Sequence, residues 1–355
     1  MHEFRSQDRY CTESWPVHGG AWIFNAVFDG HVGHATVEHA LRSIPPSIRR
    51  ALDAHLHAHR GTFSPDAVSA ILSDAITRFD SSLVDDFVSL FPGGAAGLQR
   101  MSDEHIRQLF LDRSVGAQNS ASAVRCLHGT TALLSLTDPS REHLWIANVG
   151  DCQAVLGSRD AHGQWTTRFM TALHDGDNPS ELSRIQAEHP GERDCCRDNR
   201  VIGFLGPTRT LGDAWLKMPA VFSQRVLLNF RREWNVDRPE TYISRVRTPP
   251  YVSSVPDVHH LPLPRPAPGR SRDMFLLMCS DGLPDLYQGR GRADMVSHWV
   301  RTIGRAWRSG AHDNLALALL RNALGGEDIR SVSQHLTVEM EERWMDDVTV
   351  LVQRL

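Results

Sequence analysis

Acidic side chains stand beside apolar, strand-like segments at several points of the chain. Asp29 directly follows "AWIFNAVF", Asp151 lies in a Val-Gly-Asp turn after "HLWIANV", and Asp281 follows "MFLLMCS". Asp285 comes four residues later, and Asp346 comes just before "VTVLVQ". A single Asp beside Gly is ordinary turn chemistry, because its carboxylate caps nearby N–H groups. Repetition at strand ends indicates something more: if those ends converge, the crowded carboxylates need a cation between them.

The donor types restrict which cation that would be. Carboxylate oxygens without cysteine suit a hard ion, Mg²⁺ or Mn²⁺, better than zinc. Gly30 follows Asp29, and its missing Cβ would let its carbonyl approach an ion. Spacing alone does not decide whether the strand ends meet.

Hydrophobic periodicity predicts the elements that carry these residues. The expected strands cover residues 21–28, 130–136, 143–149, 153–157, 274–280 and 348–353. The expected helices cover residues 35–44, 65–91, 103–112, 180–189 and 316–324. These elements come in blocks rather than in a regular β-α-β alternation, which favours an α+β sandwich over a doubly wound sheet.

Composition excludes several classes of protein. The chain has 355 residues, a formal charge of −4, 41% hydrophobic and 23% charged residues, which is typical of a globular enzyme and not of a nucleic-acid binder. The longest apolar runs are too short for a membrane span. Six cysteines without C-x-x-C spacing argue against a zinc site or a disulfide framework. We expect one catalytic domain over 1–355, with inserts near 45–125 and 222–273, acting as a monomer without nucleic-acid or membrane partners.

Seven motifs in the same order resemble the metal-dependent Ser/Thr protein phosphatases of the protein phosphatase 2C (PPM) family. They are "VFDGHVG", "GTTALLSL", "ANVGDCQAVL", "HDGDNPSELSRIQAEHP", "RVIGFLGPTRTLGDAWLK", "CSDGLPD" and "DDVTVLV". The large inserts and "TPPYVSSVPDV" most resemble the pyruvate dehydrogenase phosphatase branch. The resemblance implies a four-layer α-β-β-α sandwich, two antiparallel sheets flanked by helices, with metals in a cleft at one edge.

The resemblance also assigns metal ligands. It implies two Mg²⁺ or Mn²⁺ ions, bridged by Asp29 and completed by the Gly30 carbonyl, Asp281 and Asp346. Asp8 matches a residue that reaches a metal through water. Two further carboxylates, those of Asp151 and Asp285, match a weaker third metal site.

The resemblance implies that a metal-bound hydroxide hydrolyses phosphoserine and phosphothreonine in phosphoproteins. His31 matches the general acid that protonates the leaving alkoxide, and Arg5, with Arg9 as the fallback, matches the phosphate-binding arginine. Arg209 and Asp213 match a family motif, and we expect them to be structural, as an ion pair or a cap.

The sequence departs from the family pattern at a few positions. Gln7 replaces an acidic residue, Val32 replaces a glycine, Pro284 replaces a tryptophan and Asp347 replaces an asparagine. None of these changes removes a core ligand, so we expect an active enzyme.

Two alternatives remain open from the sequence. A catalytically silent relative could bind phosphoproteins as a scaffold, and a metal-dependent nuclease shares the carboxylate logic but lacks a basic surface. The insert at 222–252 either touches substrate through Arg225, Phe230, Arg231 and Arg232 or is a solvated excursion. We expect a cytoplasmic protein, with the mitochondrial matrix as the alternative.

Overall fold

The computed structural model describes residues 6–234, 236–265, 272–287, 289–310, 314–337 and 345–355. Its strands, in chain order, are β1 (Arg9–Val17), β2 (Gly20–Phe28), β3 (Gly30–His31), β4 (Gly129–Thr130), β5 (Ala132–Thr137), β6 (His143–Val149), β7 (Gln153–Arg159), β8 (Trp165–Phe169), β9 (Cys196–Arg197), β10 (Arg200–Val201), β11 (Leu211–Gly212), β12 (Asp257–Pro262), β13 (Met274–Cys279) and β14 (Val350–Arg354).

The α-helices are α1 (Ala35–Ala58), α2 (Pro65–Val88), α3 (Gly94–Arg100), α4 (Asp103–Leu111), α5 (Gly116–Leu127), α6 (Pro179–Glu188), α7 (Ala220–Arg225), α8 (Pro239–Ile243), α9 (Gly282–Asp285), α10 (Arg292–Ser309), α11 (Leu315–Ala323) and α12 (Ile329–Thr337). Two 3₁₀ segments, Ala214–Leu216 and Leu227–Glu233, add to the helical content. None of these helices is both long and apolar enough to cross a bilayer.

Two antiparallel sheets form the centre of the fold. One has the strand order β1-β2-β5-β6-β12 and the other β14-β13-β7-β8. A smaller sheet, β11-β4-β3, continues from the end of β2, and β9 pairs with β10 as a hairpin. The expectation of two antiparallel sheets flanked by helices is confirmed.

Alternation along the strands explains the layering. In β2, Phe24, Ala26 and Phe28 are fully buried on the face that packs against α1 and α2. Val27 points the other way, into a core shared with Leu276 and Met278 of the second sheet. The far face of that sheet packs against α10 and α11. Side chains that alternate in direction along a strand therefore let each sheet contact a helical layer and the other sheet.

The six predicted strands are present, with each end within two residues of its expected position. In the two central sheets, the strands that the sequence missed, β1, β8 and β12, all lie at sheet edges. The two-residue strands β3, β9, β10 and β11 were also not predicted. Edge strands have one unpaired side exposed to water, so they tolerate polar residues and proline, as "RYCTESWPV" in β1 illustrates. Such strands lack the apolar pattern on which the prediction depends.

Helix α1 is longer than predicted. We expected it to end at residue 44, before Pro45 and Pro46, but it continues to Ala58. Ile48, Leu52 and Leu56 prolong the buried apolar stripe, with at most 2% of each residue exposed. Tertiary burial therefore overrides the usual helix-breaking effect of proline. Helix α10 was not predicted at all.

Much of the insert at 222–252 is helical and packs into the protein interior. Phe222, Trp234 and Tyr251 are buried in a core with Phe87 and Phe91. This insert consequently packs against the helical segment that follows α1.

The four side chains of this insert that we considered as substrate contacts lie in different surroundings. Arg225 donates to the backbone carbonyls of Leu98 and Met101, and Phe230 packs edge-on against Phe110. Arg232 is exposed. The side chain of Arg231 lies outside the described part of the structure. Arg225 and Phe230 therefore neither contact substrate in the cleft nor belong to a solvated excursion, as the two interpretations from the sequence proposed. Both side chains pack against the helical segment instead.

Candidate active site

The end of β2 is tied to the beginning of β5. The Asp29 carbonyl accepts hydrogen bonds from the Thr131 N–H (2.8 Å) and the Thr130 hydroxyl (2.9 Å), and the Asp29 N–H donates to Thr131 Oγ1 (3.3 Å). These contacts fix the backbone of Asp29, so its carboxylate is held at the floor of the neighbouring cleft.

Three strand-end carboxylates meet in that cleft. One oxygen from each of Asp29, Asp151 and Asp281 lies within 4.8 Å of the others. Asp151 follows β6 and Asp281 follows β13, so each central sheet contributes to the cluster. The sequence placed these residues at strand ends, and the structure brings the ends together.

Burial and mutual repulsion make this cluster unfavourable without a cation. Burial, followed by the charges of Asp281, Asp8 and Asp151, raises the pKa of Asp29 well above its usual range. Burial and the Asp281 charge raise the pKa of Asp151 to about 7. The pKa of Asp281 is raised to about 6, mainly by burial. A divalent cation would reverse this balance by favouring the ionised forms.

Three further predicted carboxylates surround the cluster. Asp285 and Asp346 line the cleft. Asp8 is buried, and it accepts a hydrogen bond from the Ser280 hydroxyl at 2.7 Å. Burial, opposed by hydrogen bonds and assisted by the charge of Asp347, raises the pKa of Asp8. Six of the predicted acidic residues thus lie in or next to one cleft, and Gly30 lines it as well.

Two of the predicted metal ligands have a buried carboxylate oxygen with unused bonding capacity. Within the described residues, Asp8 Oδ1 and Asp151 Oδ1 have no hydrogen-bond partner. Buried polar atoms are normally satisfied, so such orphaned oxygens are unusual in a protein interior. They suit a hard cation or its bound water, and the all-oxygen donor set suits Mg²⁺ or Mn²⁺.

His31 is oriented by a residue whose role the sequence did not reveal. His31 Nε2 lies 2.7 Å from Asp213 Oδ2, and Asp213 is fully buried. Burial lowers the pKa of His31, but the charge and hydrogen bond of Asp213 more than compensate, so the pKa is raised. His31 lines the cleft, and with Nε2 directed at the carboxylate, Nδ1 has no hydrogen-bond partner among the described residues.

The two residues that we expected to be structural do not pair with each other. Arg209 binds Glu181 (2.6 Å) and Asp257 (2.9 Å), which agrees with a structural role. Asp213 instead contacts His31. The motif "TLGD" could have indicated this contact. A carboxylate among apolar residues needs a hydrogen-bonding partner when it is buried, and a histidine at the cleft can be that partner.

Of the two predicted phosphate-binding arginines, the structure describes Arg9, which does not line the cleft. Arg5 lies outside the described residues. Arg9 binds Glu38 at 2.6 Å, and its Nη1 donates to the Ser6 and Asp8 carbonyls at 2.7 and 2.6 Å, so all its donor groups are engaged locally. Among the described residues that line the cleft, the arginine is Arg200, at the start of β10. It stands at the first position of the motif "RVIGFLG", where we did not assign it a role.

The departures from the family pattern have visible consequences. Val32 takes a left-handed backbone conformation, with φ +67°, where the family has glycine. Such a conformation costs a β-branched residue about 1–2 kcal/mol. The Gln7 N–H donates to the Asp347 carboxylate at 2.6 Å, so the N-terminal segment is joined to the segment that carries Asp346.

Comparison with known proteins agrees with this arrangement. The sequence pattern described as Protein phosphatase 2C matches residues 83–324. The chain belongs to the protein phosphatase 2C family. Members of this family are Mg²⁺- or Mn²⁺-dependent enzymes, and this protein phosphatase 2C is accordingly a serine/threonine protein phosphatase.

Individual relatives extend the likeness over most of the chain. A protein phosphatase 2C homolog of Schizosaccharomyces pombe is 29% identical over 94% of this chain and 73% of its own length. The mitochondrial [pyruvate dehydrogenase [acetyl-transferring]]-phosphatase 1 of Saccharomyces cerevisiae is 28% identical over 78% of this chain, but only 44% of its own length is matched. The human phosphatase 2 of the same type is 25% identical over 92% of this chain and 71% of its own.

A solved structure shows the same fold. The serine-threonine phosphatase 2C of Toxoplasma gondii superposes with a TM-score of 0.58, at 17% sequence identity, over 99% of this chain and 90% of its own. The predicted family and fold class are confirmed.

Proposed function

We propose that the cleft holds two Mg²⁺ or Mn²⁺ ions and hydrolyses phosphoserine and phosphothreonine in proteins. The convergence of Asp29, Asp151 and Asp281 within 4.8 Å carries this proposal. When bound, such ions lower the pKa of water and stabilise the charge that develops at phosphorus. In this proposal Asp29 would be a ligand of both ions, Asp281 and Asp346 would complete the set, and the remaining carboxylates would support it.

The carbonyl of Gly30 and the carboxylate of Asp8, acting through water, would complete the coordination of this pair. Asp151 and Asp285 would hold a weaker third ion. The unpartnered oxygens of Asp8 and Asp151 support both assignments, because each oxygen can accept a bond that the protein itself does not provide.

His31 would protonate the leaving serine or threonine oxygen. The Asp213 carboxylate accepts the hydrogen bond from Nε2, so the proton passes from Nδ1 to the alkoxide. Asp213 holds the ring and favours its charged form, which is the proton-donating form. A positioned general acid contributes about 10²–10⁴-fold to the rate.

A guanidinium would orient the substrate phosphate by binding two of its oxygens. We retain Arg5 for this role. Arg200 is a second candidate, since it lines the cleft and one of its guanidinium nitrogens donates to the Phe204 carbonyl. Its other guanidinium nitrogens have no hydrogen-bond partner among the described residues. Arg9 is not a candidate, because it is engaged by Glu38.

The relatives suggest which phosphoprotein and which compartment to test. Two of them are mitochondrial phosphatases of pyruvate dehydrogenase, so the phosphorylated pyruvate dehydrogenase component is the first substrate to assay. We keep a cytoplasmic monomer as our prediction and the mitochondrial matrix as the alternative. Cell fractionation and size-exclusion chromatography would decide these two points.

The central experiment measures turnover of p-nitrophenyl phosphate and of a phosphothreonine peptide with Mn²⁺. We expect EDTA and Asp29→Ala each to abolish both activities, and calorimetry to show weaker Mn²⁺ binding by the variant. Asp198→Asn is the matched control, because Asp198 lines the same cleft but is 84% exposed. Turnover that persists in Asp29→Ala would refute the assignment.

The same experiment tests the scaffold alternative. A silent phosphoprotein-binding relative would bind the phosphothreonine peptide without hydrolysing it at any Mn²⁺ concentration. Retention of every predicted core carboxylate in one cleft favours the enzyme over this alternative.

A further inference from the structure

The exposed face of α10 carries a row of arginines that the cleft does not use. Arg301, Arg305 and Arg308 are spaced four and three residues apart, so they lie on one side of the helix, and all three are exposed. We call these residues the arginine row. The opposite side of α10 is buried against the second sheet, with Trp299, Val300 and Ile303 in the core.

The arginine row has no acidic partner among the residues that the structure describes. Within the described residues, no carboxylate lies within ion-pair distance of Arg301, Arg305 or Arg308, and one weak bond joins Arg305 to the Thr302 hydroxyl at 3.4 Å. Other exposed arginines of this protein do pair, such as Arg78 with Asp74 and Arg107 with Glu104. The chain as a whole is acidic, with a formal charge of −4, so the row does not reflect bulk composition.

A concave surface lies on each side of the row. A cavity of about 410 Å³ between α10 and the start of β8 is lined by Trp165, His298 and the row itself, and no acidic residue lines it. A second cavity, of about 610 Å³ between α10 and α11, adds Arg321 and has Glu327 as its acidic residue. All three arginines of the row line the first cavity, and Arg305 lines the second as well.

We propose that this surface docks an acidic segment of the phosphoprotein substrate. The row spans about 10 Å, because seven residues of α-helix rise about 1.5 Å each. Three or four residues of extended chain cover the same length at about 3.3 Å per residue. Side chains of an extended segment alternate in direction, so every second Asp or Glu would face the row, about 6.6 Å apart. This spacing is close to the rise of about 4.5–6 Å between neighbouring arginines of the row.

The row's position relative to the cleft supports a role in substrate selection. Helix α10 begins at Arg292, whose charge acts on Asp175 of the cleft lining. The row lies about 14–24 Å further along the helix. An extended segment covers that distance in about four to seven residues. The docked acidic segment would therefore lie at least that far in sequence from the phosphorylated residue.

A polypeptide fits this surface better than a membrane. Among the described residues of α10, no exposed large hydrophobic side chain is available to insert into a bilayer. A membrane-binding helix combines its basic residues with such an apolar anchor. The grooves beside the row suit a chain that lies along the helix.

The experiment uses two phosphothreonine peptides of otherwise identical sequence. Eight residues from the phosphorylated site, one peptide carries four Glu and the other carries four Gln. We expect Gln substitution of the whole arginine row to raise KM for the Glu peptide about tenfold, with kcat unchanged. KM for the Gln peptide and turnover of p-nitrophenyl phosphate should stay as in the wild type. The difference between the peptides should vanish at high salt, where exposed ion pairs are screened.

The matched control carries the same charge change elsewhere. Arg49→Gln, Arg50→Gln and Arg113→Gln together remove three exposed arginines that are unpaired within the described residues and lie outside α10. This variant should retain the low KM for the Glu peptide. An equal rise of KM in both triple variants would overturn the proposal, because net charge alone would then explain the effect.

A binding arm separates this inference from the proposed function. The role in substrate selection rests on the phosphatase function, whereas binding of an acidic segment does not. An unphosphorylated, fluorescein-labelled Glu peptide should bind the wild type and Asp29→Ala alike and bind the Gln-substituted row weakly. Binding to phosphatidylserine vesicles or to inorganic phosphate through the row, without binding of the Glu peptide, would overturn the proposal even if turnover is intact.

Discussion

Gly129→Ala should separate His31 from Asp213 without touching either side chain. Gly129 lies in β4, between His31 of β3 and Gly212 of β11. A Cβ built at Gly129 would lie 2.0 Å from His31 Nε2 and 2.1 Å from Asp213 Oδ2. The hydrogen bond between these atoms therefore passes directly over the Gly129 Cα, and only glycine leaves room for it.

The size of the effect follows from this geometry. Ordinary carbon contacts need about 3.5 Å or more, so both polar atoms must retreat by more than 1 Å. A 2.7 Å hydrogen bond stretched by that amount is lost. The proton donor would then lose its position, which is worth about 10²–10⁴-fold in kcat. The fold should survive, because the His31 ring lines the open cleft and can move into it, although Asp213 is fully buried.

The assay compares two leaving groups. In a phosphothreonine peptide the leaving group is the threonine alkoxide, which needs protonation. In p-nitrophenyl phosphate the leaving group is p-nitrophenolate, which departs readily without protonation. We expect Gly129→Ala and His31→Gln to lose peptide turnover by about 10²-fold or more while p-nitrophenyl phosphate turnover falls far less. Gly206→Ala is the control, because its Cβ would have a nearest contact of 3.7 Å, with Arg200.

Two outcomes would refute this reasoning. Full peptide turnover in Gly129→Ala would mean that the His31–Asp213 contact is not needed. Equal losses with both substrates would mean that the substitution disturbs the metal cluster or the fold rather than proton transfer. Thermal unfolding and calorimetric Mn²⁺ binding of the variant distinguish the two causes in the second case.

Three further substitutions test the electrostatics of the fold. The pKa of Asp151 is raised to about 7, so ionisation of this carboxyl group destabilises the metal-free protein as pH rises above about 4. Asp151→Asn should therefore raise the Tm of the metal-free protein at pH 8. It should also reduce the increase in Tm that Mn²⁺ produces. Burial opposes ionisation of Glu181, but hydrogen bonds from Arg209 and other donors lower its pKa to about 2. The ionised Glu181 therefore stabilises the fold above pH 4.5, and this contribution is lost as pH falls towards 2. Glu181→Gln should make the free energy of unfolding in urea less pH-dependent between about pH 5 and 2.5. Lys217→Met leaves the buried Asp80 carboxylate, now 2.7 Å from the Lys217 ammonium, without its counter-charge and should lower the free energy of unfolding by about 3–5 kcal/mol.

Each of these has a result that would contradict it. An unchanged metal-free Tm in Asp151→Asn would mean that the carboxylates do not repel one another. An unchanged pH dependence in Glu181→Gln would place the acid sensitivity elsewhere. For Lys217→Met, the test is a double variant with Asp80→Leu, which should be more stable than the single variant if the loss comes from an unpaired charge.

The sequence by itself determined the strands that lie inside the sheets and the residues at their ends. A nearly continuous apolar run marks a strand wherever both of its faces are buried, as in β2 and β6. The motifs then named the family and placed Asp29, Asp151 and Asp281 at strand ends. At the edge strands β1, β8 and β12, and where packing carries a helix past Pro45 and Pro46, the local pattern carries no such signal. The edge strand β14 is an exception, because it keeps an apolar run.

Only the tertiary structure decided which of these residues meet. Asp213 is 182 positions from His31, and Gly129 is needed for reasons visible only when three short strands are side by side. Arg9 has the right type and place in the sequence for a phosphate ligand, yet Glu38 engages it. Local propensity acts over a few residues, whereas hydrogen bonds, charge repulsion and steric exclusion depend on distances in space that the chain order does not contain.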